Sequence, residues 1–162
     1  MISADYVKTI LDYDAISGRL FWKEKIADKV VVGEEAGTSS HGYKSVRING
    51  KLYPAHRLIF AWMTGRWPKR HIDHINRNRS DNRWSNLREC TPHDNQGNRA
   101  VRKDSSSGLK GVKKNRNGRT FSARIVVNYK EVYLGNFRTK EAAHAAYMEA
   151  AEYHFGEFAS AT

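Results

Sequence analysis

The chain has 162 residues, with 28 Lys and Arg against 17 Asp and Glu, and a single cysteine. That length holds one medium domain or two small ones; lone Cys90 excludes an internal disulfide framework and a four-cysteine zinc site, and no apolar run reaches the ~18 residues of a membrane span. The net charge of +11 points to a polyanionic partner, and it is concentrated: residues 51–103 carry twelve basic and four acidic groups, while residues 1–50 are balanced. The opening Met1-Ile2-Ser3-Ala4-Asp5 has no basic segment leading into an apolar one, so no secretory signal is expected, and a cytoplasmic setting is.

In chain order, Ser3 to about Asp12 predicts a short helix capped by Ser3, with Tyr6, Val7, Ile10 and Leu11 on one face. Ser17–Lys23 reads as a turn and an apolar–aromatic strand. Residues 42–56 give a hairpin signal: Tyr43, Val46 and Ile48, then Asn49-Gly50, then Leu52 and Tyr53. Ala55–Gly65 predicts an amphipathic helix stopped by Gly65, with Leu58, Ile59, Trp62 and Met63 in the core. His71–Ile75 reads as a strand, residues 76–85 as a polar loop, and Asn86–Cys90 as a second strand. Thr91-Pro92 then opens a helix. Residues 100–108, with their serine run, read as a linker. Beyond it come three short strands, separated by turns at 115–118 and 128–130. A helix follows from the cap Thr139 to His154, with Ala142, Ala145, Ala146 and Ala150 as its seam. In this second part, residues 104–137 carry seven basic and two acidic groups, and residues 138–162 two basic and four acidic. The sheet is therefore the expected anion-facing side.

Residues 71–99 carry the chemistry. The β-loop-β-α pattern there is expected to bring Asp73, His74, Asn86 and Asn95 together. Hydrolysis of a phosphodiester needs a general base, and neutral His suits that at physiological pH. It also needs a divalent cation to stabilise charge on the phosphate. A hard cation such as Mg²⁺ takes oxygen ligands, often only one or two from protein, and an Asp carboxylate and an Asn carbonyl fit. A further amide can hold the imidazole in orientation. His71 stands as a rival base and His93 as a rival ligand to Asn95. Asn82 reads as a turn residue, His56 as a packing residue and Cys90 as a small buried one.

Asp73-His74-Ile75-Asn76, Asp81-Asn82-Arg83, Asn86-Leu87-Arg88 and Asn95, with the preceding segment from Tyr53 to Pro68, resemble the HNH (His-Me finger, ββα-metal) endonucleases. The likeness is to the phage and intron-encoded homing subgroup, and it covers nearly residues 10–100. It implies that His74 is the general base, that Asp73 and Asn95 are the metal ligands, and that Asn86 orients His74 and braces the hairpin. Asn95 stands where many HNH enzymes have His, which favours Mg²⁺ or Mn²⁺ over Zn²⁺ as the working metal. The cysteine pairs that hold a structural zinc in some relatives are absent, so none is expected. Arg57, Arg77 and Arg83 are candidate DNA contacts.

Residues 107–158 resemble the apetala-two / ethylene-response-factor DNA-binding domain, through Gly111-Val112, Phe121–Ile125, Tyr133-Leu134-Gly135 with Phe137, and the Ala-rich helix. That family lays a three-stranded sheet in the major groove, which implies DNA contacts from Lys113, Arg116, Arg119, Arg124 and Tyr133. The usual Trp positions of the first two strands are not kept.

The expected fold class is thus α+β: an N-terminal region of helix and hairpins with a ββα-metal core, then a small three-stranded antiparallel sheet plus one helix. The expected domains are an HNH domain over 1–99, its core at about 70–99, a linker over 100–108, and a DNA-binding domain over 109–162. The expected activity is a Mg²⁺- or Mn²⁺-dependent cut or nick in double-stranded DNA by a monomer or weak dimer. The rival is a non-catalytic DNA-binding regulator that keeps the ββα module as scaffold.

Overall fold

The computed structural model describes residues 2–102 and 104–161. It is an α+β fold of small antiparallel sheets and short helices, in two compact units, Met1–Glu89 and Cys90–Thr162.

In the first unit, α1 (Ala4–Ile10) starts where Ser3 accepts a hydrogen bond from the Tyr6 amide at 3.1 Å. The helix ends earlier than its apolar face suggests, because Leu11 turns into a strand. β1 (Leu11–Asp14) pairs with β2 (Arg19–Trp22), Leu11 opposite Trp22. β3 (Thr38–Ser40), β4 (Tyr43–Ile48) and β5 (Lys51–Pro54) form a three-stranded sheet in that order. The β4–β5 turn is Asn49-Gly50, with φ of 48° and 77°, the two left-handed residues that a tight hairpin requires.

α2 (Ala55–Thr64) follows at once and stops at Gly65, which is left-handed and donates its N–H to the Ala61 carbonyl at 2.9 Å. Val7, Ile10, Leu11, Leu20, Val46, Ile48, Leu58 and Ile59 are withdrawn from water in one core. Each such side chain contributes roughly 1.5–3 kcal/mol. Met63, expected in that core, is 37 % exposed. The buried stripe of α2 is Ala55, Leu58, Ile59, Phe60 and Ala61, and position 63 falls off it. The indoles of Trp62 and Trp67 are partly buried and donate to the carbonyls of Leu11 and Ile2 at 3.1 and 2.7 Å. β6 (His71–His74) and β7 (Leu87–Cys90) form the two-stranded ladder that carries the motif.

In the second unit, α3 (Pro92–Gly97) opens with a capping box: the Asp94 amide donates to Thr91 Oγ1, and the Thr91 amide donates to Asp94 Oδ2. β8 (Val112–Lys114), β9 (Phe121–Val127) and β10 (Lys130–Phe137) form a sheet in the order β10-β9-β8. α4 (Lys140–Phe155), capped by Thr139, covers one face of that sheet.

The buried seam of α4 is Ala143, Tyr147, Ala151 and Phe155; of the expected Ala142, Ala145, Ala146 and Ala150, Ala146 and Ala150 pack at its edge and Ala142 and Ala145 are exposed. Tyr147 sets the rotation. Gly111, at φ 71°, lies so close to its ring that a Cβ there would come within 2.0 Å of Cδ2. The i, i+4 neighbours of Tyr147 therefore face the sheet. α3 packs with this unit, its His93 ring 5.1 Å from that of Phe155. The break between the compact units thus falls at Glu89–Cys90, whereas the sequence division lies at 99–100.

Candidate active site

The motif residues of the first unit meet at the end of the β6–β7 ladder. Asp73 and His74 are both buried, at 8 % and 5 % exposure. The strand ends there: Arg77 adopts φ 62° and returns its N–H to the His74 carbonyl at 2.8 Å, and the Ile75 amide donates to the Asn86 carbonyl at 2.9 Å. Two charged or polar side chains in succession on a buried strand need partners. Asp73 Oδ2 receives Arg88 Nε at 3.2 Å and Arg88 Nη2 at 3.1 Å.

His74 Nε2 lies 3.1 Å from Asn82 Oδ1. An amide oxygen only accepts, so this contact is made in the tautomer with a proton on Nε2, which leaves the lone pair on Nδ1. Asn82 is itself fixed. Its side chain is buried, and Tyr13 Oη donates to its carbonyl at 3.0 Å. Gly18, at φ 73°, presses on the loop so closely that a Cβ there would come within 2.5 Å of the Arg83 nitrogen and 2.7 Å of the Asn82 carbonyl carbon.

Asn86 does different work. Its Oδ1 accepts from the Asn76 amide at 2.9 Å, and its Nδ2 donates to the Asp81 carbonyl at 2.7 Å. Both partners are backbone groups of the loop between β6 and β7, so Asn86 closes that loop like a clasp. Asn82 Oδ1 is the amide oxygen in contact with the imidazole. Asp81 reinforces the loop by accepting from Asn76 Nδ2 at 2.7 Å and from Arg83, which holds its carboxyl well below the usual carboxylate range.

A second imidazole sits beside the first. The His56 and His74 ring centroids are 5.3 Å apart, edge to face, and Tyr43 lies against both at 5.7 and 6.2 Å. Burial, then the neighbouring His74 and Arg57, push His56 down to about 4, so it is neutral at physiological pH. Its Nδ1 is buried with no hydrogen-bond partner among the described residues.

Three of the cations named as DNA contacts lie in this unit. Arg57 donates to the Pro68 and Arg70 carbonyls, each at 3.2 Å, and so staples the turn after α2. Arg83 forms a fork to both oxygens of Asp81 at 2.8 and 2.6 Å. Arg77 is exposed at its left-handed position.

In the second unit, Asn95 is half-buried on α3, its amide donating to the Thr91 carbonyl at 3.1 Å. On the sheet, Lys113 pairs with Ser122, and Arg124 pairs with Tyr133. Arg124 and Tyr133 are exposed on the side away from the buried Ala123 and Ile125. Arg124 Nη1 is 2.5 Å from Glu131 Oε1, and its guanidinium lies 6.0 Å from the Tyr133 ring centroid. Arg116 and Arg119 stand exposed in the β8–β9 turn. Of the rival residues, His71 is exposed at the start of β6, and His93 Nδ1 lies 3.6 Å from Asp94.

Among the described residues no three His, Cys, Asp or Glu side chains cluster as a ligand set. The buried Asp73 carboxylate is a hard donor, of the kind that suits a cation filling most of its shell with water and phosphate. Among the described residues no helix is long and apolar enough to cross a membrane.

No solved structure matches the chain. The chain is 37 % identical over 107 residues to a protein of Acanthamoeba polyphaga mimivirus named as the uncharacterized HNH endonuclease L560. The aligned stretch is 65 % of this chain and 54 % of that protein, so the chain spans about half the length of the curated relative it matches. Residues 53–96, from β5 through the two histidines and the Asn86 clasp to α3, match the HNH endonuclease family.

Proposed function

We propose that this protein is a metal-dependent DNA endonuclease or nickase of the HNH type, a free-standing enzyme of the phage homing kind. The observation that carries the reading is His74. It is buried at the end of a strand with Nε2 held by Asn82, directly after a carboxylate fixed by Arg88. That is how a general base is kept in one tautomer and one orientation.

In this reading Nδ1 of His74 takes a proton from water as the water oxygen attacks phosphorus. The new P–O bond forms as the bond to the 3′ oxygen breaks, leaving a 5′-phosphate and a 3′-hydroxyl. The leaving oxygen takes its proton from solvent. Asp73 and Asn95 are the residues that would hold Mg²⁺ or Mn²⁺, and the bound ion would supply charge stabilisation on the phosphate and the leaving oxygen. Asn86 keeps the loop, and with it Asn82, in place. No structural zinc enters the scheme.

The second unit is the DNA reader in this scheme. Lys113, Arg124 and Tyr133 are proposed to face the major groove, with Arg116 and Arg119 on the flanking phosphates, as the likeness to the apetala-two fold implies. Its exposed basic turn and the +11 net charge support the assignment. Arg77 is assigned a backbone phosphate. Arg57 and Arg83 serve binding by shaping the loops around it.

The test is His74→Ala, assayed for both cleavage and DNA retardation. The reading expects cleavage lost and retardation within about threefold of wild type. Equal loss of both would make His74 structural. Retardation without cleavage by either protein would favour the non-catalytic regulator.

A further inference from the structure

We infer that Arg79, seated on the ring of Tyr43, binds the phosphate that His74 helps to cut and stabilises its charge as the bond breaks. The assignment rests on the nuclease reading above and adds a catalytic residue to it.

Tyr43 is the starting point. Its ring touches both imidazoles, with centroids 6.2 Å from His74 and 5.7 Å from His56. The Arg79 guanidinium lies over that same ring, its Cζ 4.8 Å from the centroid. One aromatic ring therefore contacts both the imidazole of His74 and the guanidinium of Arg79. The loop that bears Arg79 is tied to the strand that bears Tyr43: Ser80 Oγ donates to the Gly42 carbonyl at 3.2 Å. Gly42 itself is left-handed, at φ 79°.

The neighbouring guanidiniums are already committed. Arg88 holds Asp73, Arg83 holds Asp81, and Arg57 holds two backbone carbonyls. Among the described residues, Arg79 makes no ion pair, and its side chain is exposed. A guanidinium stacked on an aromatic face keeps its N–H edge available for hydrogen bonding, and the stacking limits the side-chain freedom lost when an anion docks. A planar fork of donors matches two oxygens of a phosphate. Such a group, sharing an aromatic neighbour with the general base, acts where negative charge grows in the transition state.

The test separates this role from an ordinary groove contact. Single-turnover cleavage at saturating DNA would be measured for wild type, Arg79→Ala, Arg79→Lys, Tyr43→Phe and Tyr43→Leu. DNA affinity would be measured across a salt series on the same proteins. The assignment expects Arg79→Ala to slow cleavage by roughly 100-fold or more, the size typical of one lost oxyanion donor. Affinity should stay within about threefold, Arg79→Lys should recover part of the rate, and Tyr43→Phe should keep most of it. Tyr43→Leu should slow cleavage, and adding Arg79→Ala to it should cost little more.

Wild-type rate in Arg79→Ala would overturn the assignment while leaving the nuclease reading intact. So would a loss confined to affinity with a shallower salt slope, the signature of a plain backbone contact. No cleavage by the wild-type chain would overturn the nuclease reading itself, and this assignment with it.

Discussion

Asn86→Ala is the substitution whose cost can be worked from named bonds. The side chain makes two, to the Asn76 amide at 2.9 Å and to the Asp81 carbonyl at 2.7 Å, and the residue is buried. Each such bond contributes about 1 kcal/mol net, and a backbone group left without a partner away from water costs more. The expected loss is therefore about 2–3 kcal/mol. For a unit of about 90 residues melting by itself, that lowers Tm by roughly 8–24 °C.

Asn86→Asp refines the test. A carboxylate can still accept from the Asn76 amide, but it cannot donate to the Asp81 carbonyl. It should lose about half as much stability or somewhat more. The assay is thermal melting by circular dichroism, with cleavage measured well below both melting points. A melting temperature within about 2 °C of wild type for Asn86→Ala would refute the clasp argument. So would Asn86→Ala and Asn86→Asp melting together.

The remaining predictions follow from the same geometry. Asn82→Ala removes one hydrogen bond and the tautomer control of His74, so cleavage should fall roughly 10–100-fold while stability falls by only about 1 kcal/mol; the pair of numbers is read by single-turnover kinetics and melting. Gly18→Ala puts a Cβ against the Asn82–Arg83 backbone at a left-handed position, and should cost both stability and cleavage, whereas Gly33→Ala, with open space around it, should cost only its backbone strain. His56 is held near 4 against an ordinary 6.5, so the unfolded chain binds the extra proton first; stability should fall as pH drops from about 6.5 to 4, and His56→Gln should flatten that slope in a pH series of melts. Glu89 is lowered to about 2, chiefly by Arg66, so its contribution is full above about 4.5 and is lost as pH falls towards 2; Glu89→Gln should remove that part of the acid dependence.

The hairpin at Asn49-Gly50 and the stop at Gly65 were legible because both depend on a local need for left-handed backbone, which few residues meet. The Asp73-His74 strand and the Thr91-Pro92 helix start were legible for similar local reasons. Asn82 was not. Its side chain meets His74 only because Tyr13 and Gly18, far away in sequence, fix the path of the loop. The commitments of Arg57 and Arg83 were hidden too, although Asp81 two residues before Arg83 was a usable sign of an internal pair. The face of α4 was only half legible, Ala146 and Ala150 packing at its edge, because alanine marks no side by itself. Tyr147 was the residue to follow, with Gly111 as the space made for it.

The central claim is metal-dependent hydrolysis with His74 as base. It is tested most directly by incubating supercoiled plasmid at low salt with wild type and His74→Ala, each with Mg²⁺, with Mn²⁺ and with EDTA. The account predicts open-circular or linear DNA from the wild type only, and only with metal. Cleavage that survives EDTA, or that His74→Ala performs at the wild-type rate, would contradict it.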